Sequence, residues 1–295
     1  IRIAILSLVW GGSFFFVEVM LEAMPPMTSV LGRLIVGLAG LVGLLKLLGH
    51  PLRPLMTQWR SFAFIGLINN AIPFSLISFG QTEITGSLAS IINASTPIMT
   101  AVVAHQLTTD ERLSLRKTFG IAFGFGGVLV LFGPAAMQGG ASFLGMAAGL
   151  TATICYAFGS VYSKRLKSNP PMLNATGQVL YGTLWMFPVV CLIDQPWSLP
   201  MPGIGPWLAL MGIGLLSTTL AFFIYFRVLK TAGASNVVLV TFLVPVSASA
   251  LGIAFLGEVL AIQHILAYLL IALGLAIIDG RIVARLAQMR LKSQI

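Results

Sequence analysis

The chain carries one pattern twice. Pro25-Pro26-Met27, Gly32 and Gly37 return 145 positions later as Pro170-Pro171-Met172, Gly177 and Gly182. Thr85-Gly86 returns as Ala232-Gly233, Pro97 as Pro245, Glu111 as Glu258 and Gly127 as Gly274, at offsets of 147–148. Short loop insertions account for the drift. Each copy holds five apolar spans. An odd number of crossings makes the second copy enter a membrane from the opposite side, so the two halves are related by inversion.

The apolar runs predict helices over 3–21, 27–48, 61–80, 84–105 and 118–133, then over 142–163, 173–193, 206–228, 235–256 and 262–282. Each is close to the ~20 residues that cross a hydrocarbon core. Composition agrees. The chain is 57% hydrophobic and 8% charged, where soluble domains carry roughly 25% charged residues. The expected fold is an all-α polytopic membrane protein with ten transmembrane helices. Its predicted divisions are a first repeat over 1–133, an inverted second repeat over 142–283 and a basic tail over 284–295. The opening stretch has the look of a secretory signal, but its Trp10-Gly11-Gly12-Ser13-Phe14 aligns with Tyr156-Ala157-Phe158-Gly159-Ser160. A cleavable signal has no counterpart inside a mature fold, so this stretch is taken as a membrane helix.

The basic residues test the span count. One set of loops and ends holds Arg2, Lys46, Arg53, Arg60, Arg112, Arg116, Lys117, Lys164, Arg165, Lys167, Arg227, Lys230, Arg281, Arg285, Arg290 and Lys292, sixteen of the seventeen Lys and Arg. The opposite loops hold none, and Arg33 lies inside the second span. The positive-inside rule then puts both termini in the cytoplasm. A net charge of +9 placed this way marks topology, not affinity for nucleic acid. Cys155 and Cys191 lie within apolar spans and are expected as buried thiols.

Inverted repeats of this kind mark secondary transporters, whose substrate site lies near the midplane where the copies meet. Polar groups within spans are costly, so they are expected to face that site or another helix. In the third span Asn70, Phe74 and Ser78 share a face with Gln81. In the fourth, Asn93, Pro97 and Thr100 share one, with Thr96 beside it. Pro97 removes a donor and frees the carbonyl of Asn93, and Pro245 does the same for Thr241; both prolines are expected to bend their helices. The first span offers Trp10, Ser13 and Phe14, the sixth Thr153, Tyr156 and Ser160, and the eighth Ser217, Thr218, Thr219, Phe222 and Tyr225. Aromatic faces mixed with neutral polar groups suit a ligand with an apolar body and a few polar handles. Ser and Thr bonding their own helix carbonyls, and Asn joining two helices, are the competing structural roles. The glycine rows Gly37/Gly40/Gly43, Gly120/Gly124/Gly127 and Gly145/Gly149 are expected as helix contacts.

No charged side chain or histidine is expected near the middle of any span, which disfavours sugar phosphates and obligate cations as substrates. Glu18 and Arg33 lie at similar depth in neighbouring antiparallel spans and are expected to pair, with an outer gate or proton coupling as the alternative. Glu111 and Glu258 are expected to cap the helices that follow them. Clustered nucleophiles, bases or metal ligands are lacking, so no enzyme, no metal and no cofactor is expected. A channel is the remaining non-carrier reading.

These pieces together resemble the drug/metabolite transporter superfamily, EamA type. The resemblance rests on WGGSFF in the first span, the Thr85-Gly86…Pro97…Glu111 run, and Phe222-Phe223-Ile224-Tyr225-Phe226-Arg227-Val228-Leu229-Lys230 leading into Ala232…Pro245…Glu258. Within the superfamily the chain is similar to YddG-like amino acid exporters. The resemblance implies two inverted five-helix EamA repeats around a central cavity, in a bacterial cytoplasmic (inner) membrane. It also implies alternating-access export of small metabolites, aromatic amino acids among them, with a broad drug or metabolite exporter as the rival. Substrate and lipid bilayer are the only partners implied, and a monomer is sufficient.

Overall fold

The computed structural model describes residues 2–108, 114–138, 141–232 and 234–279, all helices and short connections. The ten long helices are α1 (Arg2–Leu21), α2 (Pro26–Leu47), α3 (Trp59–Gly80), α4 (Gly86–Leu107), α5 (Leu115–Gln138), α6 (Ala141–Ser163), α7 (Pro171–Ile193), α8 (Ile204–Val228), α9 (Ala234–Leu256) and α10 (Ile262–Asp279). Nine are long and apolar enough to cross a membrane, and in α9 the apolar stretch runs over Val240–Leu256 among the described residues. Pro26 and Pro171 stand in the first turns of α2 and α7, where the missing N–H costs nothing.

The packing repeats as the sequence does. α1 packs on α8 and α9, and α6 packs on the corresponding α3 and α4. The contact of α2 with α8 answers that of α7 with α3, while the pairs α2–α7 and α5–α10 map onto themselves. Close approach follows the small residues. A Cβ on Gly120 would lie 2.7 Å from the carbonyl oxygen of Gly274, and one on Gly127 2.7 Å from that of Ala267. Gly43 is the exception among the predicted rows, with nothing within 4 Å of a Cβ placed there.

Both large apolar clusters draw on both repeats. One gathers Leu6, Ile92, Ile98, Val244, Ile271 and Leu275; the other gathers Leu34, Leu41, Phe62, Val179 and Met186. Neither repeat therefore closes a core alone. Leu47, Leu129 and Phe255 stand on the outer surface, as a lipid-facing belt requires.

The two prolines behave differently. α4 is broken, running Gly86–Asn93 and then Thr96–Leu107 with Pro97 in the new first turn. α9 passes through Pro245 without interruption. The carbonyl that Pro97 was expected to free is occupied, because the Thr96 hydroxyl donates to Asn93 O at 2.7 Å. That corrects the picture of two matching freed carbonyls.

Candidate functional site

Two helices carry an extra residue in one turn at the same place in each repeat. α3 is π-helical over Leu67–Ala71 and α8 over Leu215–Leu220. Such turns are rare and occur often at functional sites. They place Asn69 and Asn70 in one repeat where Ser217 and Thr218 stand in the other, 148 positions on.

Each π-turn rests on a glycine of the neighbouring helix. A Cβ on Gly37 would come 2.7 Å from Thr218 Cγ2, and one on Gly182 would come 2.9 Å from Asn70 Cβ. Each also meets one polar side chain from the glycine's own helix. Arg33 Nε donates to Thr218 Oγ1 at 3.4 Å, and Asn69 Nδ2 donates to Gln178 Oε1 at 3.3 Å. Arg33 and Gln178 are repeat equivalents, 145 positions apart. One construction appears twice, cationic in the first copy and neutral in the second.

The position of Arg33 overturns the expected pairing with Glu18. Thr218 packs on Gly37, one turn beyond Arg33 and at the midpoint of α2. The Arg33 side chain therefore turns to Thr218 of α8 and Phe74 of α3 instead of to Glu18. Its guanidinium lies 4.0 Å from the centroid of the Phe74 ring, a cation–π contact, and within electrostatic range of Tyr156. The charge thus lies at the level of Phe74, about one helical turn from the middle of α3. Thr218 holds it with a hydroxyl that also donates to Ile213 O at 3.0 Å.

Aromatic rings continue the site. Trp10 and Tyr225 lie 5.6 Å apart between centroids, Tyr225 packs edge-on against Phe226 at 5.0 Å, and Phe222 stacks on Phe226 at 6.0 Å. Ser217 Oγ donates to Val9 O at 2.7 Å, fixing the α8 π-turn beside Trp10. On α6, Ile154 and Phe158 form an exposed apolar face; Tyr156 and Ser160 lie about 200° around the helix from it. Ser160 is nonetheless exposed, while Tyr156 is half-buried.

The other predicted residues divide. Phe14 and Ser78 are buried, and Ser13 donates to Trp10 O at 2.6 Å within its own helix. Asn93, Thr96 and Thr241 are half-buried. Asn69, Asn70 and Asn93 each keep a buried side-chain oxygen without a hydrogen-bond partner. Buried acceptors are ordinarily satisfied, and three in this region mark it as built around polar groups. Two open clefts are present, one of ≈ 360 Å³ between Gly40 and Gly43 of α2 and Leu215, Thr219 and Leu220 of the α8 π-turn, and one of ≈ 320 Å³ beside Ile91, Ser249 and His264. Of the predicted residues Thr219 lines the first, with Gly40 and Gly43, and Pro245 lines the second.

Glu18 and Glu258 belong to a second construction. The first N–H groups of an α-helix lack partners, and those of α4 are met from three segments. Glu18 Oε2 accepts from Gly86 N at 2.8 Å, Glu258 Oε2 accepts from Ser87 N at 3.2 Å, and Thr85 Oγ1 accepts from Leu88 N at 3.3 Å. Glu258 thus caps α4 of the other repeat, not the α10 that follows it, which corrects the sequence expectation. Glu111 lies outside the described residues.

Sequence reasoning missed Asn69, Gln178 and the π-turns. Nothing in composition announces a π-turn. The signal available was positional: adjacent polar pairs, Asn69-Asn70 and Ser217-Thr218, at the repeat offset.

Ten apolar helices in two inverted copies, with polar and aromatic groups gathered at mid-depth, have the architecture of a multi-pass membrane carrier. The chain belongs to the EamA-like transporter family, which matches residues 1–133 and 143–279. It is 27% identical to protein PecM of Dickeya dadantii over 277 residues, covering 92% of this chain and 89% of PecM. It is 24% identical to the uncharacterized inner membrane transporter YedA of Escherichia coli over 263 residues, 87% of this chain and 82% of YedA. A similar match, 24% over 271 residues, joins it to the uncharacterized transporter YoaV of Bacillus subtilis, covering 91% and 92% of the two chains. A solved crystal structure shares the fold with a TM-score of 0.69 at 20% identity, over 96% of both chains.

Proposed function

We propose that this chain exports small neutral or zwitterionic metabolites, amino acids with aromatic side chains among them, by alternating access. The observation that carries this reading is the pair of π-turns at equivalent positions of α3 and α8. Around them stand Trp10, Phe74, Tyr156, Phe222 and Tyr225, groups suited to an aromatic body. Asn69, Asn70 and Asn93 supply acceptor oxygens that an ammonium or hydroxyl would satisfy. Both halves of the site come from one chain, so a monomer suffices. The membrane is the bacterial cytoplasmic one, with both termini inside.

Two bundles of helices, each drawn from both repeats, rock against each other about the central site and expose it to one side at a time. The rival reading, a broad exporter of hydrophobic or cationic compounds, has the Arg33 guanidinium against it.

Counterflow tests the reading. Purified protein in liposomes preloaded with phenylalanine is expected to take up labelled phenylalanine saturably, to be inhibited by other neutral amino acids, and to lose uptake in a Trp10→Ala variant. Inhibition by a hydrophobic cation alone would overturn the amino acid assignment. Flux that never saturates would indicate a channel.

A further inference from the structure

Arg33 is in the wrong place for a structural charge. An arginine within a span normally reaches the membrane surface or pairs with a carboxylate. Among the described residues this one pairs with no carboxylate, and its guanidinium lies against Phe74 within the bundle. Its five N–H donors have one recorded protein acceptor among the described residues, Thr218 Oγ1 on Nε. The Phe74 ring lies 4.0 Å from the guanidinium carbon. Both contacts hold the group while leaving its Nη1/Nη2 edge unengaged. Arg33 also stays half-buried rather than sealed.

The second repeat supplies an internal control. Gln178 occupies the equivalent position, and its amide oxygen is satisfied by Asn69 at 3.3 Å. Helix packing at this point is thus met by a neutral side chain on the other side of the pseudo-axis. The cation in the first repeat answers some other requirement.

We propose that Arg33 is the carboxylate-recognition group of the transport site, so that the substrates this chain selects carry a carboxylate. The planar edge of a guanidinium matches a carboxylate bidentately. Thr218 and Phe74 orient that edge, Phe74 through its ring and Thr218 through a hydroxyl anchored in the α8 π-turn. The ligand's carboxylate supplies the counter-charge that the protein withholds. Its body then extends toward the Trp10–Tyr225 pair.

This inference rests on the transport reading, and the experiment separates the two. Binding of phenylalanine and of phenylalaninamide, which replaces the carboxylate with a neutral amide, is measured on purified wild type, Arg33→Gln and Arg33→Lys. Wild type is expected to prefer phenylalanine by about tenfold or more, as sites built for one polar group reject its absence. Arg33→Gln is expected to bring that ratio to about 1, and Arg33→Lys to retain part of it, as expected for charge without the planar fork. A ratio unchanged in Arg33→Gln overturns the role of Arg33 and leaves the transport reading standing. Wild-type protein that binds neither compound overturns both.

A second measurement needs no variant. Phenylglyoxal modification of Arg33 in wild type, read by mass spectrometry, is expected to be blocked by phenylalanine and not by the amide. Equal protection by both compounds, or by neither, overturns the proposal.

Discussion

Glu18 and Glu258 close over one helix end from opposite repeats. Glu18 accepts from the Gly86 amide and Glu258 from the neighbouring Ser87 amide, at 2.8 and 3.2 Å. Their amide donors are consecutive in the chain, which brings the two carboxyl groups together at one helix end, with Glu22 four residues after Glu18 and His264 six after Glu258. Removing either carboxylate strips a cap and is expected to cost about 1 kcal/mol.

The coupling between them depends on protonation. When both are ionised they repel, so each single alanine variant regains some of its loss by relieving its neighbour. The Glu18→Ala/Glu258→Ala double variant then loses more than the sum of the singles. When one proton joins the pair the contact is attractive, and the double loses less than the sum. A double-mutant cycle of thermal stability at about pH 9 and about pH 5, with Glu22 and His264 left in place, is expected to show the interaction energy change sign.

The glycines beneath the π-turns are separable from those facing open space. Gly37→Val and Gly182→Val each force a side chain into Thr218 or Asn70, and are expected to destabilise by about 1–3 kcal/mol. Gly43→Val meets nothing within 4 Å at Cβ and is expected to stay within about 0.5 kcal/mol of wild type. Thermal melts of the three variants in detergent check the ranking.

Thr96 spans the break in α4 by donating to the Asn93 carbonyl at 2.7 Å. Thr96→Val leaves that carbonyl without its donor and is expected to cost about 1 kcal/mol or more. Thr96→Ser keeps the hydroxyl and is expected to cost less. Equal losses in the two variants would mean that the methyl group, not the hydrogen bond, carries the residue.

Topology has a direct assay. Lys167 lies in the basic loop before α7, and Ser198 in the connection before α8, on opposite sides of the membrane. In intact cells a membrane-impermeant maleimide is expected to label Ser198→Cys, and to label Lys167→Cys only after lysis. Cys155 and Cys191, both free and half-buried, provide the background. The reverse pattern would invert the proposed orientation.

The spans, the repeat and the family were legible because each is written in composition over many residues: apolar runs, basic loops, paired prolines and glycines. The site was legible in outline only. Trp10, Phe74, Thr218 and Tyr225 were identifiable as polar or aromatic groups inside spans. Two things were hidden. The π-turns shift the facing of every residue beyond them, which a constant helical period does not capture. Arg33 was assigned to Glu18 by depth of backbone, but its side chain turns to Thr218 and Phe74 on other helices. Glu258 was hidden for a related reason: its amide partner is supplied by a helix 171 residues away.

The paired π-turns also set a phase. Each accommodates one extra residue in a turn, so restoring regular α geometry over Leu67–Ala71 without removing a residue would swing Phe74 through about 100° relative to the helix before it. Phe74 would leave Arg33, while the matching Phe222 beyond Leu215–Leu220 kept its place. An insertion carried in step by both copies keeps the two halves facing each other; carried by one alone, it would leave them permanently out of register.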